Sequence, residues 1–279
     1  MKEKILRAKT ISYAENWLPL HHRIFIHVVE ILTGRLSLKR RYNTFQKLVD
    51  KDNSINPWDL ALDVMGLRIS NEIIIPKKRK GKGLLIIANH TYGLPDGLVL
   101  GWIASKLDKN FRVISNNVLR QEPTMNGNIL PIDFGMSRKS KLTNIETRNK
   151  AISQLNQGGV VAIFPAGGVA WSRKKGEPVK DIDWKPFTGR LIKSSGCDVL
   201  PVKFYTHNSA MFQIASRIWN NKEKVSIGLT LRYSLFIREI RKTLDKEIQF
   251  DFMDLISNEN LPNLNNYDLT QYLRLKMGV

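Results

Sequence analysis

The chain has 279 residues, 42% of them hydrophobic, which is enough to bury a sizeable core in one large domain or in a domain with an added helical cap. The 44 Lys and Arg residues against 25 Asp and Glu residues give a net charge of +19. This excess indicates an anionic partner: nucleic acid, an anionic membrane surface, or phosphate-bearing substrates and acidic carrier proteins. The single cysteine, Cys197, excludes a disulfide framework and a Cys-based zinc cluster, and it fits a reducing compartment.

The first part of the chain, residues 10–50, has the spacing of amphipathic helices, which Pro19 and Gly34 are expected to break or bend. Apolar residues favour one face, namely Trp17, Leu18, Phe25, Val28, Val29 and Leu32. Basic residues lie nearby, namely Arg23, Arg35, Lys39, Arg40 and Arg41. Two interpretations stay open: a segment that lies in a membrane interface, or helices that cover the core. We predict that residues 1–68 form an N-terminal helical membrane-interface segment.

At the start of the chain we expect neither a membrane-spanning helix nor a secretory signal. Its longest apolar stretch, residues 24–32, is short and contains His27 and Glu30, so no membrane-spanning helix is predicted. The charged first residues lead into no uninterrupted apolar core or small-residue cleavage site, so no secretory signal is expected. The predicted location is the cytoplasm, with peripheral attachment to the inner face of the cytoplasmic membrane.

Strand and helix patterns alternate from Glu72 onward, which predicts an α/β fold with a central mixed sheet flanked by helices in a second domain, residues 69–279. The predicted strands lie near residues 71–75, 84–89, 111–115, 129–132, 160–164, 199–205 and 225–233. The predicted helices lie near residues 56–65, 96–107, 143–157, 187–195 and 209–218, with a final helix at 267–277. Residues 77–83, rich in Lys and Arg, predict a solvated basic loop whose place just before His90 favours attraction of a polyanion.

The best candidate for chemistry is the segment Ala-Asn-His-Thr-Tyr-Gly-Leu-Pro-Asp-Gly, residues 88–97, between a buried-looking strand and an apolar helix. A neutral imidazole such as that of His90 can take a proton from an attacking hydroxyl near pH 7. A carboxylate such as that of Asp96, on the other ring nitrogen, fixes the tautomer and stabilises the imidazolium. The alternative is a surface pair or a capped turn.

A second candidate is residues 160–173, where a hydrophobic strand runs into Pro165 and the pair Gly167–Gly168. Such a turn exposes backbone amides at the sheet edge, where they can bind an anion or let a substrate approach the main chain. Between the two candidates, residues 129–132 lead to Arg138, a side chain able to clamp a phosphate or carboxylate or to remain a solvated surface arginine.

Taken in order, these segments resemble the glycerolipid and lysophospholipid acyltransferase family over about residues 70 to 215. The matches are Asn89-His90 with Asp96, Phe164-Pro165 with Gly167, and the strand sequence Val-Leu-Pro-Val at 199–202. Five residues separate His90 from Asp96, where the common family form has four, and Ala166 replaces the common Glu. Both features, together with the Asn-Ser-x-x-Phe-Gln stretch at 208–213, resemble a bacterial hemolysin-like branch that includes lyso-ornithine lipid acyltransferases.

The resemblance implies acyl transfer from an acyl thioester, on acyl carrier protein or coenzyme A, to the free hydroxyl of a lysophospholipid or lyso-ornithine lipid. His90 would act as base, Asp96 would orient it, and amides around Gly167 and Gly168 would stabilise the oxyanion. No metal or redox cofactor is implied, because the thioester supplies the driving force. The remaining implied substrate-binding residues are Asn89, Phe164, Pro165, Arg138, Lys185 and, as a weaker candidate, Arg173.

Two other functions stay open on the residues themselves. A basic nucleic-acid-binding module would have a similar charge, although no zinc finger, RNA-recognition signature or basic zipper is present. A lipid esterase or hydrolase would use the same His and Asp with Ser172 or Ser209 as nucleophile, although neither serine lies in a Gly-x-Ser-x-Gly elbow.

Overall fold

The computed structural model describes residues 19–52, 54–70, 73–116, 122–135, 137–219 and 227–279. The strands are β1 (Leu84–Ala88), β2 (Phe111–Asn116), β3 (Ile129–Ile132), β4 (Val160–Ile163), β5 (Asp198–Phe204) and β6 (Phe250–Phe252). The helices are α1 (Leu20–Thr33), α2 (Arg35–Lys51), α3 (Pro57–Met65), α4 (Leu94–Leu107), α5 (Pro123–Asn126), α6 (Arg138–Asn156), α7 (Phe187–Ser195), α8 (Ala210–Trp219), α9 (Ile227–Thr243) and α10 (Asn266–Met277). A 3₁₀ turn spans Asn258–Asn260.

The described strands form one six-stranded sheet in the order β3-β2-β4-β1-β5-β6. Strands β1 to β5 are parallel, with Leu84 opposite Val160 on one side and Asp198 on the other, and β6 pairs antiparallel with β5. The predicted central mixed sheet flanked by helices is therefore confirmed. Because parallel strands all end at the same edge, the loops that follow β1, β3, β4 and β5 come together at the carboxyl edge of the sheet.

The core lies on both faces of this sheet because side chains of successive strand residues point to opposite faces. In β1, Leu84 and Ile86 pack with α3 and α4 on one face, and Leu85 and Ile87 pack with α6, α7 and α10 on the other. Every residue of β1 is buried, as expected for a central parallel strand covered on both sides. This burial holds the end of β1, and hence His90, in a fixed position.

Most predicted elements are present, and the bounds of β3 and α7 match the prediction. The predicted strand at 225–233 is wrong, because α9 occupies residues 227–243. Alternating apolar residues suggest a strand there, but further along α9 the buried Phe236, Ile237 and Ile240 have helical spacing. No strand occurs at residues 73–75 of the predicted 71–75, whose other two residues lie outside the described part, and β6 was not predicted.

The N-terminal helices are interrupted at Pro19 and Gly34, as the sequence predicts. Pro19 precedes α1, and Gly34, at φ +122°, separates α1 from α2; residues 10–18 of the predicted helical stretch lie outside the described residues. Helix α1 packs against α9 with Ile26 and Glu30 buried. Its other side exposes large apolar side chains, namely Leu20, Ile24, Phe25, Val28, Ile31 and Leu32. Among the described helices, none is both long and apolar enough to cross a bilayer.

Candidate active site

The turn after β1 brings His90 and Asp96 together. Asp96 lies in the first turn of α4, is fully buried, and its Oδ2 is 3.1 Å from Nδ1 of His90. The same oxygen accepts the backbone N–H groups of Thr91 and Tyr92, and Oδ1 accepts that of Gly93. The carboxylate thus caps the turn and also orients the imidazole. The catalytic pair and the capped turn, which the sequence left as alternatives, are therefore both present in this arrangement.

Gly93 makes this short turn possible. Its backbone has φ +105° and ψ −109°, a conformation that side-chain-bearing residues rarely adopt. Pro95 follows in the first turn of α4, where its missing N–H costs no hydrogen bond. These two residues let the chain reverse and still place Asp96 against His90.

The glycine turn after β4 lies against the other side of His90. The Phe164 ring stacks on the imidazole with ring centroids 4.0 Å apart. The backbone N–H of Ala170 donates to the His90 carbonyl oxygen at 2.6 Å. The imidazole is 17% exposed, so it remains accessible from one side. The structure therefore brings His90, Asp96 and the turn at 165–168 into one site, as the sequence predicts.

The two predicted amide donors of this turn differ in availability. The Gly167 N–H donates to the Phe164 carbonyl oxygen at 3.1 Å and thereby closes the turn. The Gly168 N–H has no acceptor among the described residues. Gly167 is at φ +67°, which favours glycine at this position. Of the two amides, that of Gly167 is therefore used within the turn, whereas that of Gly168 has no partner in the described part of the chain.

Asp181 is a site residue that sequence reasoning missed. Its buried carboxylate accepts the backbone N–H of His90 at 3.0 Å and the indole N–H of Trp184 at 2.8 Å. Burial raises the pKa of Asp181 to about 6, against the opposing effect of these hydrogen bonds. No local pattern marks this residue, because its partner His90 is 91 positions away along the chain.

Two carboxylates set the electrostatics of His90. Burial by itself lowers the pKa of the imidazole, but the charges of Asp96 and Asp181 and the hydrogen bond to Asp96 raise it by more. The net shift of the His90 pKa is upward. The imidazole consequently becomes neutral, and able to accept a proton, at a higher pH than an ordinary histidine.

The predicted basic contacts occupy different places around the site. Lys185 donates its backbone N–H to the Pro165 carbonyl oxygen, and its side chain is exposed beside the glycine turn. Arg138 is exposed at the first position of α6, and the segment before it passes the glycine turn at Phe134. Arg173 instead donates to backbone carbonyl oxygens, at Trp171, Lys180 and Asp181, and stacks over the Trp171 ring.

Asn89 and the candidate serines have other partners. The Asn89 amide exchanges two hydrogen bonds with the backbone of Phe204 and so joins the end of β1 to the end of β5. The Ser172 hydroxyl accepts from Arg217, and the Ser209 hydroxyl donates to Glu239. In the described part of the chain neither serine is hydrogen-bonded to His90, so no Ser-His pair supports a hydrolase.

The chain is similar to proteins of known function. The family model named Acyltransferase matches residues 67–205, which include all the predicted site residues. A lyso-glycine lipid O-acyltransferase from Phocaeicola vulgatus is 29% identical over 215 residues, or 75% of this chain and 70% of the relative. The crystal structure of the 1-acyl-sn-glycerophosphate (LPA) acyltransferase PlsC from Thermotoga maritima matches with a TM-score of 0.45 and 12% identity, covering 91% of this chain and 95% of that chain. The chain belongs to the glycerolipid acyltransferase family and is an enzyme of the O-acyltransferase type.

Proposed function

We propose that the protein transfers a fatty acyl group from an acyl thioester to the free hydroxyl of a lysolipid, with His90 as general base. The observation that carries this proposal is the hydrogen bond between His90 Nδ1 and Asp96 Oδ2, beside the glycine turn at the carboxyl edge of the sheet. Because Nδ1 faces Asp96, the other ring nitrogen, Nε2, is the one left to face the lipid hydroxyl.

The proposed reaction needs no covalent enzyme intermediate. As His90 Nε2 takes the hydroxyl proton, the lipid oxygen attacks the thioester carbonyl carbon and forms a C–O bond. In this proposal the Gly168 N–H stabilises the negative oxygen of the tetrahedral intermediate, an effect worth about 3–4 kcal/mol for one such donor. The C–S bond then breaks, the imidazolium returns its proton to the leaving thiolate, and the ester product is released.

The acceptor we propose is a lysolipid whose head group carries a carboxylate or a phosphate. The Phocaeicola vulgatus relative is named a lyso-glycine lipid O-acyltransferase. The exposed basic side chains of Lys185, beside the glycine turn, and of Arg138, at the start of α6, support binding of a carboxylate or a phosphate. Lyso-glycine lipid, lyso-ornithine lipid and lysophosphatidate are therefore the acceptors to compare.

Substitution of His90 tests the proposal directly. We expect His90→Ala to lower the turnover number at least about 100-fold, the smaller end of what a general base contributes. Wild type and variant are compared for acylation of the three lysolipids by mass spectrometry, with acyl carrier protein and coenzyme A thioesters as donors. His207→Ala is the matched control, because His207 is exposed and its ring contacts only a backbone oxygen among the described residues.

Near-normal transfer by His90→Ala would overturn the mechanism. Release of free fatty acid without acceptor, abolished by Ser172→Ala or Ser209→Ala, would instead support a hydrolase. Salt-sensitive retention on DNA without transfer to any lysolipid would favour the nucleic-acid-binding alternative.

We also propose that α1 attaches the enzyme peripherally to the inner face of the cytoplasmic membrane. Phe25 and Leu32 are 49% and 75% exposed on its apolar side, and the net charge of +19 favours anionic lipid. We expect Phe25→Ser with Leu32→Ser to weaken co-sedimentation with anionic vesicles about tenfold or more, from the lost apolar burial. Leu142→Ser with Ile145→Ser, on exposed positions of α6, is the matched control. Equal loss in both double variants would contradict membrane contact through α1.

A further inference from the structure

A short hairpin, residues 171–180, extends from the backbone of His90. The residue before it, Ala170, donates its N–H to the His90 carbonyl oxygen, and the residue after it, Asp181, accepts the His90 N–H. The hairpin is closed by an antiparallel bridge between Trp171 and Lys180, with a hydrogen bond of 3.2 Å. A partner that binds the hairpin therefore lies next to the proposed catalytic base.

The hairpin presents positive charge to solvent. Lys174, Lys175 and Lys180 are exposed, and the only acidic residue between 171 and 180 is Glu177. The Lys174 ammonium lies 3.9 Å from the Glu177 carboxylate and its side chain is 82% exposed, so this pair is weak. Arg173 adds a further charge, although its guanidinium is used to close the hairpin. The net charge of this surface favours an anionic partner.

The composition of the hairpin distinguishes a protein partner from a bilayer. Binding in a membrane interface requires exposed apolar side chains in addition to basic ones. Helix α1 has such side chains, whereas no large hydrophobic residue between 171 and 180 is exposed. Its two larger apolar side chains, Trp171 and Val179, are half-buried, and a mainly polar and basic surface of this kind is suited to steering an acidic protein by charge complementarity.

We infer that this hairpin is the docking surface for an acidic carrier protein that delivers the acyl chain as a phosphopantetheine thioester. The inference rests on the proposed function, because it assumes a thioester donor. It deepens that function by assigning the donor side of the reaction to the hairpin and leaving Lys185 and Arg138 to the lipid acceptor. The hairpin lies beside His90. A carrier protein bound there can therefore bring the thioester, at the end of its flexible phosphopantetheine arm, to the glycine turn.

A charge-reversed variant tests the docking surface. We expect Lys174→Glu with Lys175→Glu to raise the KM for acyl carrier protein thioester about tenfold, with little change in kcat, because lost electrostatic steering slows association. The increase should largely disappear in salt of about 0.5 M or more, which screens exposed charges. The KM for the coenzyme A thioester of the same acyl chain should change less.

The matched control changes the same charge at the other edge of the sheet. Lys77 and Lys80 are exposed in the loop before β1, so Lys77→Glu with Lys80→Glu should leave both KM values unchanged.

Equal effects of the two double variants would overturn the inference, as would equal KM increases for both donors. Weaker binding to anionic vesicles with an unchanged carrier-protein KM would assign the hairpin to the membrane. Wild-type transfer from coenzyme A alone would overturn the docking surface and leave the proposed function intact, whereas transfer from neither donor would overturn the function itself.

Discussion

The two edges of the sheet carry similar residue types but use them differently. At the carboxyl edge, the buried carboxylates of Asp96 and Asp181 both bind the His90 turn, one at the ring and one at the backbone. At the amino edge, the buried carboxylate of Asp198 accepts the backbone N–H of Asn258 and contacts the Arg79 guanidinium at 3.4 Å. Carboxylates at one edge thus orient a titratable ring, and the carboxylate at the other edge holds loops together.

The basic loop at 77–83 shows why this difference matters. Sequence proximity to His90 suggested that it helps attract a polyanion to the site. In the parallel sheet the loop precedes β1 and so lies at the amino edge, at the opposite end of the strand from His90. Two of its charges are held by protein groups, Lys78 by the Gly158 carbonyl oxygen and Asp108, and Arg79 by Asp198 and Ser257. Nearness along the chain is a poor guide to nearness in a sheet of parallel strands.

The largest expected difference between the two edges comes from paired Asp→Asn substitutions. Asp96→Asn should slow acyl transfer at least about 100-fold, because the ring loses its orienting carboxylate. It should also lower the free energy of unfolding by about 1–3 kcal/mol, since an amide cannot accept all the N–H groups that Asp96 accepts. Turnover numbers and thermal unfolding measure the two effects.

Asp198→Asn is the comparison variant at the amino edge. It should also reduce stability, because Asp198 is buried and accepts a backbone N–H, but the turnover number of the folded enzyme should not change. If both variants lost activity in proportion to stability, Asp96 would have only a structural role and the proposed distinction between the edges would fail.

Asp181→Asn is expected to have a smaller effect on acyl transfer, which the pH dependence of kcat/KM measures. In wild type the rate should rise with pH as His90 loses its proton, with a midpoint above the ordinary histidine value of about 6.5. Removing the Asp181 charge lowers the His90 pKa, so this acidic limb should move to lower pH. The plateau rate should fall by about tenfold or less, corresponding to one hydrogen bond to the His90 backbone.

Asp183→Asn provides the control for this experiment. Asp183 is in the same loop, but its side chain is 76% exposed and pairs with Arg274 at 3.1 Å. Its substitution should leave the acidic limb of the kcat/KM profile at the same pH as in wild type. A limb that stayed fixed in Asp181→Asn, or moved to higher pH, would show that Asp181 does not control the charge of His90.

Local pattern predicted most of the fold. β1 and β4 are short apolar runs bounded by turn residues, and α7 lies between Pro186 and Gly196, so their positions follow from the sequence. The prediction failed at α9, where alternating apolar residues had suggested a strand. Helix α9 is helical because its packing against α1 and α8 buries one of its faces. That packing depends on elements remote in sequence.

The candidate site likewise has features that the sequence predicted and features that it did not. The pair His90 and Asp96 was predictable because its members are six residues apart across one turn, and the glycine turn was predictable from its own residues. The role of Arg173 was not, because the carbonyl oxygens that hold its guanidinium belong to both ends of a hairpin. The use of the Gly167 N–H within its own turn was also visible only in three dimensions.

The sequence by itself determined most of the strands and helices from β1 to α8, the turn that joins His90 to Asp96 and the overall positive charge, because each depends on neighbouring residues or on composition. Only the tertiary structure decided which edge of the sheet each charged segment occupies and that the Asp181 carboxylate binds His90. The physical reason is that parallel pairing gathers the ends of strands that are far apart in the chain. Contacts at that edge are therefore made between residues separated by dozens of positions, which no local pattern records.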